Sequence, residues 1–229
     1  VNPQDDGIDI VVLNCNNDGH IQTCINSIKA HTSGPFNLIV VDQNSNDGSR
    51  EWLIDDDVAG HLILNKKNSG AAEGRNQGIR AGRHSWIIFI DSDIEIRDLD
   101  WLDKMWNYTV EHRIGFIEGV CRLGGWENRT KRASTSFCMI RRKCLNEIGI
   151  FDNNFLIGEN IDWLIRLKWN KFWRSALCPD LNVCHFKGKT IYEGILMNKY
   201  EEINEYMAGL LLKKYNRGLI EEVRKELDL

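Results

Sequence analysis

Apolar and polar positions divide this chain into a regular first half and a less regular second half. Ile8 to Leu13, Phe36 to Val41, His61 to Leu64 and Ser85 to Ile90 are apolar-rich stretches of strand length. Between them, Ile21, Cys24, Ile25 and Ile28 recur at helical spacing, Ser49 precedes Trp52, Leu53 and Ile54, and Gly70 to Ala81 is a helix-length run of small residues. Strands alternating with helices in this way predict an α/β fold: a mostly parallel sheet with helices on both faces. Past residue 93 the pattern loosens. Leu99, Leu102, Met105 and Trp106 mark a helix, Gly115 to Val120 a strand, and Ser136 to Ile140 another. Arg142 to Ile148 and Asn160 to Trp169 read as helices, with a strand near Leu181 to Cys184. Residues 198–228 read as two amphipathic helices parted at Asn216-Arg217-Gly218, a packed appendage with a solvated face.

One domain over residues 1–190 with a helical appendage over 191–229 accounts for all 229 residues. Lysine and arginine number 29 against 33 acidic residues, a net charge of −4. This balance lacks the basic footprint that a nucleic-acid partner requires. No apolar run approaches the roughly 20 residues of a transmembrane helix. The chain opens at Val1 with no secretory leader, as expected of a processed protein or a domain of a longer one. Seven scattered cysteines without a C-x-x-C pair predict a reducing, cytoplasmic setting, peripheral to a membrane at most.

Candidate chemistry gathers where the strands end. Trp86-Ile-Ile-Phe-Ile90 runs into Asp91-Ser92-Asp93, two carboxylates one residue apart at the carboxyl end of a strand, where open α/β sheets place ligands. Hard oxygen ligands at that spacing suit Mg2+ or Mn2+ carrying a diphosphate, whereas the plain alternative is a turn. The first strand ends at Asn14-Cys15-Asn16, the second at Asp42-Gln43-Asn44-Ser45, and Asn68-Ser69-Gly70 opens the helix that carries Arg75. Each signal alone is equally a turn or a cap. Together they describe a nucleotide crevice at one sheet edge.

In order and spacing these motifs resemble the family 2 glycosyltransferases of GT-A fold across residues 8–190. The resemblance rests on Asn16, Val40-Val41-Asp42-Gln43-Asn44-Ser45-Asn46-Asp47-Gly48, Asn68-Ser69-Gly70, Arg75-Asn76-Gln77-Gly78, Asp91-Ser92-Asp93, Gly158-Glu159-Asn160-Ile161-Asp162 and His185. It implies metal-dependent transfer of a sugar from a nucleotide diphosphate sugar to an acceptor hydroxyl on a glycan or another molecule. It implies Mn2+ or Mg2+ at Asp91, Asp93 and His185, and nucleotide contacts from Asn14, Asn16, Asp42, Gln43, Asn68, Gly70, Arg75, Asp91 and Ser92. Gln43 stands where the family often has a second aspartate. A glutamine amide still accepts from uracil N3–H, so a UDP-sugar is favoured, with GDP- and dTDP-sugars open. Asn160 stands where inverting members carry a catalytic Asp. Three readings follow: Glu159 or Asp162 as the base; retention, as in the polypeptide N-acetylgalactosaminyltransferases that share a Gly-Glu-Asn; or binding of the sugar nucleotide without turnover. Trp126, in the polar 122–132 loop, is the candidate acceptor contact, and Trp163, Trp101, Trp106, Trp169 and Trp173 are expected to pack. A nucleotidylyltransferase would need a basic glycine-rich loop after the first strand, and a dinucleotide-dependent oxidoreductase a G-x-G-x-x-G; neither is present.

Overall fold

A computed structural model describes residues 7–55, 58–123, 130–132, 135–155, 158–186 and 200–227. The strands are β1 (Ile8–Asn14), β2 (Phe36–Asp42), β3 (His61–Leu64), β4 (Trp86–Asp91), β5 (Ile94–Ile96), β6 (Ile114–Leu123), β7 (Thr130–Arg132), β8 (Phe137–Arg141), β9 (Arg174–Cys178) and β10 (Val183–His185). The helices are α1 (Asp18–His31), α2 (Ser49–Asp55), α3 (Gly70–Ala81), α4 (Trp101–Trp106), α5 (Arg142–Ile148), α6 (Glu159–Asn170), α7 (Tyr200–Lys214) and α8 (Arg217–Leu227), with a 3-10 turn at Asn107–Val110.

Strand order is β3-β2-β1-β4-β8-β6-β10-β5, with β7 and β9 both pairing β6. The expected parallel pairing holds from β3 to β4. Beyond β4 the sheet is mixed, because β8 runs antiparallel to both β4 and β6. β1 lies between β2 and β4, so helices cover it on both faces and nearly every position is apolar. Its side chains alternate accordingly. Ile8, Ile10 and Val12 join Ile21, Ile25 and Ile28 of α1 and Trp101 and Met105 of α4 in one core. Val11 joins the opposite core with Ala72 and Ile79 of α3 and Trp163 and Ile165 of α6. Leu211, Tyr215 and Ile220 of the last two helices belong to this second core, so the C-terminal helices share the apolar interior of the main fold.

Two apolar expectations fail. Leu99 is 74% exposed because the helix begins two residues later, at Trp101. Trp169, expected to pack, is 59% exposed and meets Tyr215 at a ring distance of 5.9 Å. Trp101, Trp106, Trp163 and Trp173 are buried as expected.

At the edge opposite the predicted crevice, Asp9 is fully buried and accepts from Asn37 Nδ2 at 3.1 Å and from the His84 amide and Arg142 Nη2 at 2.8 Å each. Burial pushes its carboxyl up, and those donors more than offset this, leaving it below its ordinary value. The helix α3 packs on β1 through Gly78, where a Cβ would overlap Val11 Cγ1. Val11 is pinned in a central strand, so Gly78→Ala is expected to destabilise the protein by about 1–3 kcal/mol despite the helix propensity it adds. Gly19, in α1, faces open space. Gly19→Ala is therefore expected to leave the urea midpoint unchanged or raise it by up to about 1 kcal/mol equivalent, which separates overlap from propensity.

Candidate functional site

The parallel register places three polar strand ends side by side: Asn14 stands opposite Asp42, and Leu13 opposite Asp91. The chain beyond β4 turns through Ser92 and Asp93 into β5, which pairs with β10 so that Ile94 faces His185. That pairing brings a residue from late in the chain onto the Asp-Ser-Asp turn. His185 Nε2 lies 3.2 Å from Asp93 Oδ1, and the Phe186 amide donates to the Asp93 carbonyl at 2.8 Å. One ligand atom each from Asp91, Asp93 and His185 fall within 4.8 Å of one another. Two carboxylates and an imidazole converging at that distance fit a Mn2+ or Mg2+ ion.

Arg75 joins this cluster to α6. It is 3% exposed; Nη1 donates to Glu159 Oε1 at 2.7 Å and Nη2 to Asp91 Oδ1 at 3.1 Å. A further contact reaches the Thr135 carbonyl at 3.4 Å. The guanidinium therefore bridges two carboxylates as a clamp. Glu159 is 6% exposed at the first turn of α6, behind Gly158 in the left-handed conformation at φ 80°. Burial raises its carboxyl above the ordinary 4.5, and the Arg75 charge offsets part of that rise.

Asp162 takes a different place from the one expected of a candidate base. It is fully buried, and its oxygens accept from Tyr215 Oη at 2.8 Å, Lys214 Nζ at 2.7 Å and Arg166 Nε at 2.9 Å. These donors tie it to the C-terminal helices and to Arg166.

Several expected nucleotide contacts are spent inside the fold. Asn14 is fully buried and donates to Asp42 Oδ1, Ser45 Oγ and Ser49 Oγ at 2.9–3.1 Å. Its amide nitrogen thereby braces the β1 and β2 ends. Asp42 is also fully buried, accepting the Ser45 amide at 3.1 Å with Arg50 at 3.3 Å. Gln43 accepts at Oε1 from the Ser69 amide, Ser69 Oγ and Asn65 Nδ2, and donates from Nε2 to the Gly70 carbonyl. Its amide ties β2 to the start of α3. Ser92 is buried and accepts from Asn17 Nδ2 at 2.9 Å. Asn16 and Asn68 remain exposed at the rim, Asn16 with φ 51° and its Oδ1 on the Asn46 amide. Asn68 accepts the Gly70 amide at 2.9 Å and donates to Cys15 Sγ at 3.3 Å. Trp126 lies outside the described residues.

Sequence reasoning gave no role to Asn17 and took Asn76 only as part of the Arg75-Asn76-Gln77-Gly78 motif. Asn17 sits at the start of α1, a signal that reads as a cap. Asn76 grips the Phe151 backbone at both amide and carbonyl, 3.0 and 2.8 Å, and so fixes the segment leading to Glu159.

The family model for glycosyl transferase family 2 matches residues 9–171. The glycosyltransferase GlyA of Streptococcus pneumoniae serotype 4 is 23% identical over 90% of this chain, which spans 30% of GlyA. The poly(ribitol-phosphate) beta-N-acetylglucosaminyltransferase TarP of Staphylococcus aureus is 27% identical over 96% of this chain and 72% of its own length. In structure, the mannosyltransferase PcManGT of Pyrobaculum calidifontis, in complex with GDP-Man and Mn2+, superposes with a TM-score of 0.64 at 19% identity, over 81% of this chain and 58% of its own. S. aureus TarS 1-349 in complex with UDP-GlcNAc gives 0.66 at 16% identity, over 96% and 71%. Both structural likenesses bear on the fold, and the fold is that of GT-A glycosyltransferases. With a family match across most of its length, this chain belongs to glycosyl transferase family 2.

Proposed function

We propose that the chain transfers a sugar from a nucleoside diphosphate sugar to an acceptor hydroxyl, with Mn2+ or Mg2+ held by Asp91, Asp93 and His185 and with Glu159 as general base. The observation that carries this reading is the convergence of those three ligands with Glu159 through one buried arginine. A divalent cation bound there supplies Lewis-acid stabilisation of the charge that builds on the leaving diphosphate. Glu159 takes the proton of the acceptor hydroxyl as that oxygen bonds to the anomeric carbon. The bond from that carbon to the diphosphate breaks, and its electron pair leaves with the nucleoside diphosphate. A single displacement of this kind inverts configuration. Burial suits Glu159 to the task, because a base works best when its pKa approaches the working pH. Arg75 bridges Glu159 and Asp91, and Asn16 and Asn68 are the asparagines exposed at the rim where the nucleoside would sit.

A uridine or guanosine diphosphate is the expected partner, in keeping with the sugar nucleotides in the PcManGT and TarS complexes. Calorimetric titration of UDP and of GDP, each with Mn2+ and with EDTA, tests the proposal. One nucleotide should bind with Mn2+ and lose most of its affinity in EDTA. Absence of binding by both, on a folded protein, would overturn the reading.

A further inference from the structure

The C-terminal helices meet α6 through a charge cluster around the fully buried Asp162, and that cluster brackets Glu159. Lys214 Nζ pairs with Asp152 at 2.9 Å, before Glu159 in the chain, and with Asp162 at 2.7 Å, after it. Tyr215 Oη donates to the same Asp162 oxygen at 2.8 Å. Arg166 takes the other Asp162 oxygen and donates to the carbonyls of Ile148, Gly149 and Ile150. Both flanks of the stretch bearing Glu159 are thus tied to the last turn of α7 and the residue that follows it. On the inner side the same stretch is gripped by Asn76 at Phe151 and by Arg75 at Glu159 itself.

Simple docking of an amphipathic helix pair needs only the apolar contacts of Leu211, Tyr215 and Ile220. A fully buried carboxylate is costly without compensating donors, and here those donors come from three directions on one residue near the base. We propose that Lys214, Tyr215 and Asp162 form a latch in which the C-terminal helices position Glu159 for catalysis. Asp162 is a positioning residue: it lies one helical turn after Glu159, so fixing it fixes the first turn of α6 and the carboxylate on it. Removing the latch frees that turn, and a base displaced by even an ångström loses rate steeply. The inference rests on the reading of Glu159 as the base.

The test compares the full wild-type chain with Lys214→Met/Tyr215→Phe, Lys214→Arg, Glu222→Gln and Glu159→Gln. Glu222, in α8, pairs with Lys168 of α6 at 2.8 Å, away from Asp162, and reports on docking alone. The readouts are hydrogen exchange of the first α6 turn, and kcat and donor KM for Mn2+-dependent nucleoside diphosphate release from UDP-GlcNAc and GDP-mannose. The double variant should exchange that turn faster and lose about tenfold in kcat with KM within about twofold. Lys214→Arg should restore most of the rate and Glu222→Gln should match wild type. Unchanged exchange, unchanged kcat, or an equal loss in Glu222→Gln would each overturn the latch. Tyr215→Phe alone keeps the ring packed and serves if the double variant does not fold. Full rate in Glu159→Gln would instead overturn the base reading, so the two failures are distinguishable.

Discussion

Asp93→Asn is expected to lower Mn2+-dependent release of nucleoside diphosphate by about a thousandfold, about 4 kcal/mol of transition-state stabilisation. Asn is close in shape and keeps the backbone contact that seats Phe186 against residue 93. The fold should therefore survive while one of three converging ligands changes from an anion to a weak neutral donor. Chelation supplies the matching control. EDTA should bring the wild-type protein down to the level of the variant, and should change the variant little, because both remove the same contribution. A variant that kept wild-type, EDTA-sensitive turnover would move the metal away from Asp93. Asp91→Asn is a less clean probe, since Asp91 also anchors Arg75 at 3.1 Å and its loss would disturb Glu159 as well.

The parts of this molecule that were legible in its sequence are those governed by local pattern. β1, β2 and β4 announce themselves because strands covered on both faces must be apolar nearly throughout. The Asp-Ser-Asp turn was legible as a site only beside the other polar strand ends at its edge, since alone it reads equally as a turn. β5 and β7, three residues each, are too short to carry a period, and β9 sits at an edge with most of its side chains exposed. Nothing local in Phe137–Arg141 says that β8 runs antiparallel. The fate of individual polar side chains was the least legible of all. Asn14, Gln43 and Asp162 look alike as polar residues beside a crevice. Whether each reaches outward depends on Ser49, Ser69 and Tyr215, partners brought near only by the tertiary fold.

Glu159→Gln is the second large effect, an expected loss of about a hundredfold or more in kcat with nucleotide affinity nearly unchanged. The substitution is isosteric, so the hydrogen bond from Arg75 Nη1 can persist and the clamp on Asp91 stays in place. What disappears is the capacity to accept the acceptor's proton. The pH profile separates this from a purely structural role. In the wild-type protein a base must be ionised, and burial places the Glu159 pKa above the ordinary 4.5, so turnover should fall as pH drops through that raised value. In Glu159→Gln the acid limb belonging to this group should vanish, leaving a low rate that no longer follows its titration. A mere spacer for Arg75 would behave otherwise: Gln could serve, kcat would stay near wild type, and Asn160 beside it would then point to chemistry that needs no enzyme base. The same profile also bears on stability, with the opposite preference. A carboxyl whose folded pKa is raised favours the folded state at low pH, and that contribution is lost as pH rises through the folded value. Glu159→Gln should therefore unfold at a higher temperature than wild type near neutral pH, and the advantage should shrink in acid. A residue that costs stability where it is ionised, yet is held beside the Asp91 carboxylate by a buried arginine, is what the proposed role as base would require.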